Sequence, residues 1–203
     1  MIRHCLLKNV RLVNTIIVSF KNRILLLNYM PEFAYELKIP RERIAVLIGK
    51  KGEIKSQLEK ETRTEIKVDS KEGDVFIRGE DALNLYTVRE IVRAVGRGFN
   101  PDIALLLLKQ DYAFEIVDIS DYVSHKDHIK RLKGRVIGSE GKSRRTIETL
   151  TETNISVYGK TVGIIGQTEN VSTARRAIES LLKGSEHAKV YNWLEKKRRD
   201  NKR

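Results

Sequence analysis

The stretch RVIGSEGKSRRTIETLTETNISV, Arg135–Val157, decides the fold, because it lies without a gap over an earlier one, VLIGKKGEIKSQLEKETRTEIKV, Val46–Val68, at an offset of 89 residues. Ile137 meets Ile48, Gly138 meets Gly49, Gly141 meets Gly52, Ile147 meets Leu58 and Glu148 meets Glu59. Thr151, Thr153, Ile155 and Val157 meet Thr62, Thr64, Ile66 and Val68. Glycines, apolar positions and a few threonines persist while most charged residues change, a pattern that preserves a backbone turn and a buried face. Gly141-Lys142-Ser143 has the ending of a nucleotide-binding phosphate loop, but such a loop needs a glycine five residues earlier, where Val136 stands. The first copy has Gly52-Glu53-Ile54 there. What recurs is Ile-Gly-x-x-Gly, a turn that admits one backbone phosphate at a time and cannot encircle a triphosphate.

Working outward, Ile44, Leu47 and Ile48, and Ile129, Leu132, Val136 and Ile137, predict short helices running into the glycines. Ile54 and Leu58, or Ser143, Ile147 and Leu150, mark a second helix after the turn. Two strands follow in each copy, 65–68 with 74–78 and 154–158 with 161–165, turning at Gly73 and Gly159. A longer amphipathic helix closes each unit, over 82–95 and 172–183, and a strand precedes each, over 33–38 and 112–119. The predicted domains are therefore 31–98 and 111–183, with a linker over 99–110 carrying a short helix at 102–109 and a basic C-terminal helix over 184–203.

The order β-α-Gly-x-x-Gly-α-β-β-α resembles the type I KH domain over about 65 residues in each copy. A helix-turn-helix also joins two helices through a glycine turn, but needs neither two glycines framing two residues nor a strand pair afterwards. The fold class implied is α+β, with two tandem type I KH domains, each a three-stranded sheet packed by helices. Two such units followed by a basic helix are similar to the archaeal and eukaryotic KH proteins of small-subunit ribosome maturation, the Dim-two or partner-of-Nob-one family. The resemblance implies a non-enzymatic protein that binds single-stranded RNA, in the 3′ region of small-subunit ribosomal RNA, during pre-rRNA processing. It further implies two protein partners, a pre-rRNA endonuclease and the alpha subunit of initiation factor two.

In a KH domain the Gly-x-x-Gly loop clamps about four nucleotides by their backbone. The candidate RNA-binding residues are Gly49, Lys50, Lys51 and Gly52 in the first unit, and Gly134, Arg135, Ile137, Gly138, Ser139, Glu140, Gly141, Lys142, Arg144, Arg145 and Ile155 in the second. A helix beginning near Gly141 adds unpaired N–H donors and the positive end of its dipole. Bases would lie in an aliphatic groove of Ala45, Leu47, Ile48 and Ile66, or Gly134, Val136, Ile137 and Ile155, positions equally suited to an ordinary core. Aromatic residues make up 6% of the chain, too few for a stacking platform. Around the second loop Lys133, Arg135, Lys142, Arg144 and Arg145 face Glu140 alone, a local +4, whereas Lys50, Lys51, Lys55 and Lys60 are offset by Glu53 and Glu59. Both units are expected to touch RNA, with the second dominant.

The 203 residues carry a net charge of +12, which points to a polyanionic partner. Residues 1–29 contribute +5 and residues 184–203 contribute +4, leaving about +3 for the body. The apolar runs 12–20 and 24–27, broken by Lys21 and Arg23, are each shorter than a membrane span requires. Residues 1–29 read as an extension before Met30, or as a hairpin turning at Lys21-Asn22. Cys5 alone forms no internal disulfide and suits a reducing cytoplasm. His125 and His128 lack a third ligand, so neither a metal nor another cofactor is expected. Trp193 either packs the last helix on the second unit or docks a partner, and Lys196-Lys197-Arg198-Arg199 would extend the phosphate path. Three other functions stay open: a KH subunit of an RNA-degradation complex, a nucleotide-dependent enzyme built on Gly141-Lys142-Ser143, and a DNA-binding regulator.

Overall fold

The computed structural model describes residues 33–123 and 128–201. The proposed extension 1–29 and His125 lie outside the described residues. The chain divides into two compact units, the first ending at Arg93 and the second beginning at Ala94.

In the first unit the order is β1 (Phe33–Lys38), α1 (Arg41–Ile48), α2 (Glu53–Thr62), β2 (Glu65–Asp69), β3 (Asp74–Gly79) and α3 (Ala82–Gly96), the last running past the boundary. The sheet is antiparallel in the order β1-β3-β2. Val75 and Ile77 of β3 and Ile66 of β2 are fully buried, while Phe76 and Arg78, which alternate with the β3 pair, are exposed. This alternation is what a sheet covered by helices on one face requires.

The second unit repeats the order. A short turn of α4 (Pro101–Ala104) and a 3-10 turn (Leu105–Leu108) lead into β4 (Tyr112–Asp118), α5 (His128–Ile137), α6 (Lys142–Thr151), β5 (Asn154–Tyr158), β6 (Thr161–Gln167) and α7 (Thr168–Leu182). Its sheet is antiparallel in the order β4-β6-β5. Here β6 does not alternate: every residue from Thr161 to Gly166 is buried. The reason lies in the predicted linker, which packs Phe99 onto the second face of the sheet. A Cβ on Gly163 would sit 2.7 Å from the Phe99 ring, so only glycine admits that ring. Phe99 in turn meets Phe114 of β4 edge to face, centroids 5.9 Å apart at 89°. The continuous helix expected over 102–109 is instead α4 followed by the 3-10 turn.

The C-terminal helix α8 (His187–Asn201) buries Val190 and Leu194 in the same cluster as Val136, Ile147 and Ile178. Trp193 packs against that cluster with Arg176 over its ring at 5.5 Å, so the helix is part of the second unit's core. Arg198 pairs with Glu152, the residue just after α6, at 3.8 Å. The basic run 196–199 therefore lies at the end of α6 remote from Gly141, about 15 Å away at 1.5 Å per residue, and does not continue the loop's phosphate path directly.

Leu194 is 1% exposed and Leu83 of α3 is 79% exposed. Leu194→Ala should lower stability by about 2–5 kcal/mol, and Leu83→Ala by less than about 0.5 kcal/mol. Thermal denaturation of the two variants checks the contrast; equal effects would contradict α8 as core.

Candidate nucleic-acid interface

Each Gly-x-x-Gly forms the same backbone turn. Gly49 has φ 76°, ψ 178° and Gly138 φ 72°, ψ 176°, a region open in practice only to glycine. The second variable residue is left-handed in both, Lys51 at φ 53° and Glu140 at φ 50°, as are Gly52 at φ 81° and Gly141 at φ 75°. Gly138 N–H donates to Gly134 O at 2.8 Å and Gly141 N–H to Gly138 O at 3.3 Å; the first unit repeats both bonds through Ala45 and Gly49. The N–H groups of Ser139 and Glu140 between them make no backbone bond among the described residues, and both residues are exposed. They are unbonded donors on an exposed turn, beside the N-terminus of α6.

The two glycines of each pair do different work. A Cβ on Gly138 would lie 2.7 Å from both Cβ and the backbone N of Ser143, and one on Gly49 would lie 2.5 Å from Ile54 Cγ1. The first glycine is thus the point where the two helices close on each other. A Cβ on Gly52 or Gly141 would meet nothing within 4 Å. The second glycine supplies the left-handed backbone and an open approach.

A second repeated device ties the later helix to the edge strand beside the loop. Glu59 Oε1 accepts from Ile66 N–H at 2.8 Å, and Glu148 Oε1 from Ile155 N–H at 2.8 Å. Thr62 donates to Leu58 O and bonds Thr64 at 2.8 Å, while Thr151 donates to Ile147 O and bonds Thr153 at 2.9 Å. A Cβ on Gly79 would crowd Thr64 at 3.1 Å, and one on Gly166 would crowd Thr153 at 2.8 Å. The persisting threonines and glutamate are therefore structural: they satisfy buried polar groups and hold β2 and β5 against the helices.

The remaining candidates fall into distinct environments. Lys50 and Lys51 are exposed on the first turn, and Lys142 is exposed just after the second. Ile48 and Ile137 are half-buried, Ala45 and Gly134 are exposed, and Leu47, Val136, Ile66 and Ile155 belong to the core. Arg135 turns inward: its Nε donates to Leu181 O at 3.1 Å and its Nη2 to Ser185 O at 2.7 Å, capping the end of α7. Arg144 reaches Ile155 O at 3.4 Å and pairs with Glu148 at 3.8 Å, the counterpart of Lys55–Glu59 at 3.7 Å. Arg145 donates to Glu140 O within the loop itself. These arginines keep their charge near the loop, but several of their N–H groups are already used. The motif spacing did not single out Arg131, His187 and Tyr191, which the structure brings to the second loop with Ser143. Ser143 was partly legible, as a polar residue where the first copy has Ile54.

Among the described residues no group of three or more His, Cys, Asp or Glu could hold a metal ion. No helix among them is long and apolar enough to cross a membrane.

A three-stranded antiparallel sheet, helices on it and a glycine-framed turn between the first two helices, occurring twice, define a tandem type I KH protein. The family model described as eukaryotic type KH-domain (KH-domain type I) matches residues 113–199, and the KH domain model matches residues 34–94. A KH domain-containing protein of Methanocaldococcus jannaschii is 53% identical over 171 residues, 82% of this chain and 75% of that protein. RNA-binding protein pno-1 of Caenorhabditis elegans is 32% identical over 164 residues, 77% of this chain. The match spans 59% of that nematode protein. Among solved structures, a chain of the a/eIF2alpha–aDim2p–rRNA complex of Pyrococcus horikoshii superimposes with a TM-score of 0.78 at 43% identity. That similarity covers 83% of this chain and 96% of that one. The chain belongs to the PNO1/Dim2 family of KH-domain ribosome maturation proteins.

Gly138→Ala must accept both the collision with Ser143 and a backbone region closed to L-residues, so it should cost about 3 kcal/mol or more. Gly141→Ala carries only the left-handed penalty, roughly 1 kcal/mol. Thermal melts of the two variants should rank them in that order, and the reverse order would contradict the division of labour between the glycines.

Proposed function

We propose that this protein binds single-stranded RNA without catalysing a reaction on it, holding the 3′ region of small-subunit ribosomal RNA during ribosome maturation. Both Gly-x-x-Gly turns contact the sugar-phosphate backbone, bases lie along the half-buried aliphatic positions beside them, and the second unit contributes more affinity. The observation that carries this reading is the pair of unbonded N–H donors at the exposed residues Ser139 and Glu140, next to Lys142 and the start of α6. Donors of this kind recognise phosphate oxygens. The ribosomal assignment is supported by the family and by the Pyrococcus relative, which was crystallised with rRNA.

That complex also contains a/eIF2alpha, which supports the alpha subunit of initiation factor two as a protein partner of this chain. A pre-rRNA endonuclease is proposed as a second partner on family resemblance alone, and a cytoplasmic setting goes with these roles. A nucleotide-dependent enzyme fits poorly. Val136, where a phosphate loop needs glycine, is fully buried, and Ser143, whose hydroxyl would have to reach a magnesium ion, is 3% exposed beneath Gly138.

Gly141→Asp and Gly52→Asp both place a carboxylate in open space, so either can be made without crowding the turn. Gly141→Asp should weaken binding of single-stranded RNA roughly tenfold or more. Gly52→Asp should do so by less. Fluorescence anisotropy at fixed salt checks this. A larger loss for Gly52→Asp would reverse the ranking, and no loss for either would remove the RNA reading.

A further inference from the structure

A cleft of about 450 Å³ opens beside the second loop, between it and the start of α8. Gly134, Gly138, Lys142 and Ser143 line one side and His187 and Tyr191 the other. Of the groove positions only Gly134 lines it, so it runs away from Val136, Ile137 and Ile155 toward α8. Its size falls within the roughly 300–1,000 Å³ of sites that hold small molecules.

Several features of this cleft point to a ligand. Ser143, at its floor, is 3% exposed and its hydroxyl has no hydrogen-bond partner. A buried hydroxyl left unpaired is unfavourable, and the first unit avoids it by having Ile54 at that position. His187 Nε2 lies 2.8 Å from Arg135 O; a carbonyl only accepts, so this nitrogen carries a proton and the ring is held in one orientation. Tyr191 stands against it, with ring centroids 6.0 Å apart at 60°, and both rings are half-buried rather than sealed in the core. Exposed Arg131 and Lys142 supply two cations at the rim. A Cβ on Gly134 would meet nothing within 4 Å, so the approach past α5 is open.

We propose that this cleft takes one further nucleotide of the bound RNA, adjacent to those held by the loop. Its phosphate sits between Arg131 and Lys142, and its base packs against Tyr191 and His187, above the buried Ser143. Helix α8 is then part of the RNA site as well as part of the core. The inference rests on the RNA-binding reading of the second loop.

The test compares fluorescein-labelled RNA tetramers and hexamers of randomised sequence, both carrying 4-thiouridine, on the full chain at fixed salt. A base packed on an aromatic ring contributes about 1–3 kcal/mol, so hexamers should bind the unsubstituted protein roughly tenfold more tightly than tetramers. The double variant His187→Ala, Tyr191→Ala should lose that gain while keeping tetramer affinity, which also reports that the second unit remains folded. An unchanged hexamer gain overturns the inference, and so does a parallel loss for both lengths, which would make the two rings merely structural. Photo-crosslinking of the unsubstituted protein to the hexamer gives an answer independent of any variant. A crosslink at Tyr191 or His187 is expected, and crosslinks confined to the loop and β5 overturn the proposal. If Gly141→Asp leaves tetramer binding intact, the parent reading fails first, and this one with it.

Discussion

The closest constraint in each unit is the contact between the first glycine of the turn and the residue five positions later, Gly49 with Ile54 and Gly138 with Ser143. No side chain fits there. Because the backbone passes so near the start of the next helix, the chain leaves the first helix at φ about +75°, runs through two residues and enters the second helix through a left-handed glycine. The geometry that permits this approach also leaves the two intervening N–H groups without a backbone partner. A turn with even one methyl group at that point would have to separate the helices, and the donors would lose their fixed direction.

The turn would be of little use without an edge strand held at constant distance from it. Glu59 and Glu148 fix that distance by accepting the N–H of Ile66 and Ile155, each reinforced by a cation one helical turn earlier. These partly buried charged acceptors are stronger than neutral ones. The threonine pairs close the same end of the helix, where Arg63 and Glu152 take left-handed conformations at φ 52° and 53°. Both repeats therefore share one scaffold. The second unit is the more elaborated, with Phe99 on the far face of its sheet and α8 packed into its core.

Much of this was legible in the residues. Helix and strand periodicities placed the elements of both repeats, the strand over 33–38 to the residue, because alternating and 3.6-residue patterns survive wherever one face is buried. The paired glycines were legible because they recur at the same spacing in both copies while their neighbours change. Several features depend on tertiary partners that leave no local trace. Arg135 looked like a phosphate ligand from its place beside the loop, yet its guanidinium caps α7 nearly fifty residues away. Gly163 has no meaning until Phe99 is seen against it. The persistence of Thr151, Thr153 and Glu148 was visible, but their function as hydrogen-bond partners was not, since nothing local says which buried group each one satisfies. His187 and Tyr191 lie on a helix that the repeat does not include, so comparison of the two copies could not find them.

The central claim is that the backbone of Ser139 and Glu140 presents fixed donors to a phosphate chain. Amide-resolved NMR titration of the full chain with short single-stranded RNA tests it most directly. The account predicts that the Ser139 and Glu140 amide resonances move early and saturate with binding, together with Gly141 and Lys142. RNA that binds with full affinity while those amides stay unperturbed would contradict it.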